Sequence, residues 1–83
     1  MIHYFDNYLN SDNPLVKRAA SLLQQATLTY QVGKMTKDEY TEVCNDLLDT
    51  STLLANINDM VMKQEIVDAY QALSAIVSTI ISL

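Results

Sequence analysis

The chain contains one glycine, one proline, one cysteine, one histidine and no tryptophan. Each scarcity excludes a class of function. Phosphate-cradling loops and dinucleotide fingerprints need several closely spaced glycines, and Gly33 stands alone. Cys44 has no second cysteine to pair with, which rules out a disulfide scaffold and any zinc site built on a cysteine pair. His3 has no second histidine beside it, so no His pair at metal-ligand spacing exists and Cys44 has no other imidazole to activate it. Basic residues are also few. Five Lys and Arg stand against ten Asp and Glu, a formal charge of −5, and the basic face that direct nucleic-acid binding requires is missing. Long apolar runs are lacking as well. The N-terminus shows no basic region followed by an apolar stretch, so it does not read as a signal peptide. The uncharged tail is shorter than the roughly 20 residues of a membrane span.

What is present is an apolar composition, 49% hydrophobic over 83 residues, too rich for a disordered chain. The length fits one small domain over residues 1–83, with a core of marginal size. Charge is unevenly distributed. Ala19 to Gly33 and Ala69 to Leu83 are each 15 residues without a charged side chain. Surface helices normally carry charges on their outer face, so both stretches are expected to be covered, in part by another chain.

The spacing of apolar residues predicts an all-α fold with three main helices, at about 14–32, 37–55 and 60–82. Tyr4, Phe5, Tyr8 and Leu9 add a short N-terminal helix or docking arm. Asn13-Pro14 is a start signal, an Asx cap followed by proline in the first turn. From there Leu15, Ala19, Leu22, Ala26 and Tyr30 form one helical stripe, widened by Val16 and Leu23. Gly33 stands where a left-handed residue would stop that helix. Thr36-Lys37-Asp38-Glu39 is a capping box for the second helix. Its stripe is Tyr40, Cys44, Leu47, Ser51 and Leu54, with an irregularity expected near Thr50. Asn58 or Asp59 caps the third helix. There Ile66, Tyr70, Leu73, Val77 and Ile80 recur at gaps of 4, 3, 4 and 3, a heptad seam. The β-branched run Ile76–Ile81 makes a strand the competing reading, and the continuity of the seam favours helix. The first two helices are expected to form an antiparallel hairpin at Gly33–Thr36, with the third packed across it and offering spare apolar surface.

The stretch from Leu22 to Leu48 resembles the SHOCT (short C-terminal domain) family. The shared pattern is Leu22-Leu23, Tyr30, Gly33, Met35, Thr36, Asp38-Glu39, Tyr40 and Leu47-Leu48. It covers 27 residues, about a third of the chain. The resemblance implies a helical oligomerisation or adaptor element without chemistry of its own. It departs from the family in one respect, because the motif usually closes those proteins and 35 residues follow it here. In size and composition the chain is also similar to small accessory proteins of tailed bacteriophages.

Candidate sites follow from these patterns. The seam Ile66, Tyr70, Leu73, Val77 and Ile80 is the candidate oligomer interface. Asp38, Glu42, Asp46 and Asp49, at gaps of 4, 4 and 3, form a candidate acidic partner face; such a row more commonly serves as a solvated face, and least commonly binds a divalent ion. Met60 and Met62 offer an adaptable contact surface at the start of the third helix. Lys17 and Arg18 are the only adjacent basic pair. Cys44 is expected to be buried, and His3 to be solvated. No catalytic, metal or cofactor-binding residues are assigned, and no cofactor is expected. The composition therefore points to a non-enzymatic, self-associating protein–protein interaction module in the cytoplasm, or in the host cytoplasm if phage-encoded. The alternative is an acidic inhibitor or adaptor that uses the Asp38–Asp49 face against a basic protein surface.

Overall fold

The computed structural model describes residues 4–83. Five helices follow one another: α1 (Asp6–Leu9), α2 (Pro14–Gln31), α3 (Lys37–Leu47), α4 (Ser51–Ala55) and α5 (Met60–Ser82). No strand occurs among the described residues, and Ile76–Ile81 is helical throughout. The fold is all-α, as the spacing requires.

Local chemistry sets most of the boundaries. Asn13 Oδ1 accepts the Leu15 N–H at 3.0 Å, and Pro14 occupies the first helical position, where its missing N–H costs nothing. At the other end of α2, the Gly33 N–H bonds to the Tyr30 carbonyl and the Lys34 N–H to the Thr29 carbonyl. That pair of bonds is a Schellman stop, and it needs the left-handed φ of +82° that Gly33 supplies. Three residues later the capping box closes as expected. Thr36 Oγ1 accepts the Glu39 N–H at 3.1 Å, and the Glu39 carboxylate accepts the Thr36 N–H at 3.0 Å. Asp59 starts α5, its Oδ1 accepting the N–H groups of Val61 and Met62.

α2 is the hub, packing against α1, α3 and α5, while α3 and α5 also touch. Facing three neighbours widens and rotates the apolar stripe of α2. Its buried residues are Val16, Ala19, Ala20, Leu23, Ala26 and Thr27, while Leu15, Leu22 and Tyr30 are half-buried. The expected stripe was thus centred about one residue off. α3 returns antiparallel through the tight Gly33–Thr36 turn. α5 packs against both α2 and α3. Its early residues Glu65 and Ala69 share a groove with Tyr8, Asn13 and Val16 at the start of α2, and its later residues continue along the core. The molecule measures 40 × 23 × 17 Å, its long dimension near the roughly 34 Å of a 23-residue helix.

The structure corrects two expectations. The second helix does not run unbroken to residue 55. It stops at Leu47, and a separate turn, α4, follows from Ser51. The cause is Asp49, whose Oδ1 accepts both the Ser51 N–H at 3.0 Å and the Ser51 hydroxyl at 2.7 Å. An Asx cap competes with helix propagation even where neither glycine nor proline is present.

The second correction concerns the seam. Ile66, Tyr70, Leu73, Val77 and Ile80 are all inside the chain's own core, none more than 8% exposed. They pack in one cluster with Phe5, Leu23, Tyr40 and Cys44. A face already covered by α2 and α3 has no apolar area left to offer a second folded copy. The uncharged stretches are explained in the same way. Their inner faces are core, and their outer faces carry Gln71, Ser74, Ser78, Thr79 and Ser82 on α5 and Gln25 and Gln31 on α2, with Leu28, Val32 and Leu83 also exposed. Thr79 and Ser82 return their hydroxyl protons to carbonyls one turn back.

Candidate functional site

The core holds one polar relay that sequence spacing did not reveal. Thr27 of α2 is buried, and its hydroxyl donates to the Leu23 carbonyl at 2.7 Å. A carbonyl only accepts, so the single Thr27 proton is spent there. The Tyr40 hydroxyl, 2.7 Å from Thr27 Oγ1, is therefore the donor between them. The chain of bonds runs from Tyr40 on α3 through Thr27 to the α2 backbone. Tyr30 stacks on Tyr40 with ring centroids 4.6 Å apart and planes 6° from parallel. Burial pushes the Tyr40 phenol well above its ordinary value. With its proton held by Thr27, the Tyr40 hydroxyl fastens α3 to α2. The only sequence signal for it is a Thr at a position that α2 must bury.

Cys44 lies one turn further along α3, 1% exposed. Burial raises its thiol too, so it is protonated and out of reach, as the stripe implied. Tyr70 is shifted upward for the same reason. His3 lies outside the described residues.

The acidic row divides. Asp38, Glu42 and Asp46 are exposed along α3, and no hydrogen bond or ion pair occupies them. Asp49 lies past the end of the helix and is taken up in the cap of Ser51, whose backbone N–H holds its carboxyl below the usual range. The face is three carboxylates long, against the four that spacing predicted. Among the described residues no three His, Cys, Asp or Glu side chains come together to hold a metal ion. Lys17 and Arg18 are exposed on the first turns of α2. Arg18 and Asp46 border a shared shallow groove floored by Ala19, Leu22 and Leu47.

The most exposed apolar cluster is at the start of α5. Met60 and Val61 are 74% and 69% exposed, and Met62 is exposed beside them. Gln64, Glu65 and Asp68 rim the shallow hollow that Met60 and Val61 line. The cluster's backbone is fixed, because Asp59 caps the N–H groups of Val61 and Met62. Among the described helices none is long and apolar enough to cross a membrane.

No protein-family model, curated protein or solved structure matches this chain.

Proposed function

We propose that this chain is a non-enzymatic helical module that acts by binding protein, with a second copy of itself as its first partner. The observation that carries the reading is the lip at Met60, Val61 and Met62. Three successive large apolar side chains face solvent on a well-capped helix, while the other exposed large apolar residues, Leu28, Val32 and Leu83, stand near helix ends. Exposed apolar centres with polar rims are the usual anatomy of contact surfaces. Methionine adapts its shape to a partner at low cost. The absence of chemistry is supported by the protonated, buried Cys44 thiol. The SHOCT resemblance over Leu22–Leu48 agrees with an oligomerising or adaptor role, and a phage accessory protein in its host's cytoplasm would suit the size and composition.

Sedimentation equilibrium from micromolar to millimolar concentration tests the reading. A reversible dimer is expected, and Val61→Glu should weaken it at least tenfold while leaving the helical signal intact. Wild-type protein that stays monomeric throughout that range would overturn self-association. The acidic-adaptor reading has its own support in the unpartnered Asp38, Glu42 and Asp46, and it demands binding to a basic protein that falls steeply with salt.

A further inference from the structure

The two joints of the bundle are built differently, and the difference suggests how two copies meet. The α2–α3 turn is locked by the left-handed φ of Gly33. The α3–α5 connection, residues 48–59, contains no glycine, no proline and no residue of positive φ. The two residues that flank Asp49 are already close to helical geometry. Leu48 has φ −100° and ψ 7°, and Thr50 has φ −98° and ψ −4°. Changes of about 35° in φ and about 40–50° in ψ would make both helical. The stripe Tyr40, Cys44, Leu47, Ser51, Leu54 keeps its helical phase across the break. What holds the break is a single exposed carboxylate, Asp49 on Ser51.

Resting on the self-association reading, we infer that the dimer forms by exchange of α5. In it α3 and α4 straighten into one helix over about residues 37–55, and α5 of each chain packs against α2 and α3 of the other. The seam Ile66–Ile80 then makes the same contacts between chains that it makes within one, so those contacts neither favour nor oppose exchange. The gain comes from what the closed chain leaves exposed. Exchange sets the two hinge segments side by side, and Met60, Val61 and Met62 follow the hinge immediately. The lip that is bare in one chain becomes covered where the two connectors meet.

Two substitutions at the hinge act in opposite directions. Thr50→Pro forbids the straight helix, because the ring removes an N–H and clashes with the carbonyl one turn back. In the bent form it requires the Thr50 φ of −98° to move by about 30° toward the proline value. The Thr50 N–H takes no part in the bonds at the break, and Thr50 stands between Asp49 and Ser51 as Pro14 stands between Asn13 and Leu15 under the same cap. Asp49→Ala removes the cap that only the bent form uses, and should tighten the dimer roughly 25-fold, about fivefold at each of two hinges. The test is sedimentation equilibrium of the full chain with both variants and Val61→Glu, with circular dichroism to confirm folding. A dimer abolished by Thr50→Pro, weakened by Val61→Glu and tightened by Asp49→Ala supports exchange. A dimer that survives Thr50→Pro overturns exchange and leaves self-association standing. Monomer in wild type and in Asp49→Ala alike overturns both. If Thr50→Pro fails to fold, mixing isotopically heavy and light wild-type dimers decides. Exchange requires α5 to leave the core, so heterodimers should appear no faster than global unfolding, and faster mixing overturns the proposal.

Discussion

The joint between α2 and α3 and the joint between α3 and α5 do the same topological job with opposite economy. The first takes five residues, 32–36, and every one is specified: a Schellman stop on Gly33, then the reciprocal Thr36–Glu39 cap. Just inside it the Tyr40–Thr27 bond and the Tyr30–Tyr40 stack clamp the two helices. The second joint takes twelve residues, 48–59, and interposes the five-residue α4, none of whose residues is fully buried. Its hydrophobic contacts, Leu53, Leu54 and Ile57, are only partly covered. A short joint with a left-handed glycine has one solution. A longer joint held by exposed side-chain caps is less constrained locally, and its geometry depends more on how well the rest of the core grips α5.

The strongest test of that contrast is truncation of a side chain near each joint. Tyr40→Ala should destabilise the fold by about 3–5 kcal/mol, through lost burial and a cavity beside Tyr30. Leu54→Ala, half-buried at the second joint, should lie below about 2 kcal/mol. Urea denaturation of both variants measures the difference, and equal losses would break the comparison. A subtler version is Thr27→Val, which leaves the Tyr40 hydroxyl buried without its acceptor at a cost of about 1–3 kcal/mol.

Next in size are the backbone effects. Gly33→Ala has open space for the new methyl, so its cost is conformational alone, about 1–2 kcal/mol for an L-residue at φ +82°. Asn56→Ala, at φ −97° in the second joint, should stay within about 0.5 kcal/mol. Thermal melts of the two variants sharpen the claim that only the first joint is conformationally demanding.

The smallest effect is that of acid on the caps. Glu39 and Asp49 are both held below their ordinary values of 4.5 and 3.8, each chiefly by a backbone hydrogen bond, from Thr36 and from Ser51 respectively. A depressed carboxylate contributes stability that is full above its ordinary value and is lost as pH falls through the lowered one. Amide exchange should therefore quicken at the starts of α3 and α4 as pH drops below about 4, with the larger spread of opening at α4, where no buried clamp backs the cap. Uniform protection at both sites would show that the second joint is as firmly held as the first.

How much of this was legible beforehand depended on the range of the interaction. Asn13-Pro14, Gly33 and the Thr36–Glu39 box act over two to four residues, and the helices began or ended where those residues stand. Asp49 acts over the same short range, yet its effect was masked because the apolar stripe passes through it in phase and a helix to residue 55 looked continuous. Helical spacing alone placed Asp38, Glu42 and Asp46 along the exposed side of α3, and it failed at Asp49 for the same reason. The α2 stripe was misplaced by about one residue because its centre depends on three neighbours that lie far away in the chain.

The sequence alone determined that this chain is helical, where most of its helices start and stop, and that α5 carries an unbroken apolar seam. Those properties follow from caps and periodicity within single segments. Only the tertiary structure decided what the seam is for. Apolar spacing is the same whether a helix is to be buried in its own chain or in another, and the 48–59 connection returns α5 alongside α2 and closes the core from within. The apolar surface left bare at the head of α5 is consequently not the seam but Met60, Val61 and Met62, where the helix begins before the bundle can cover it.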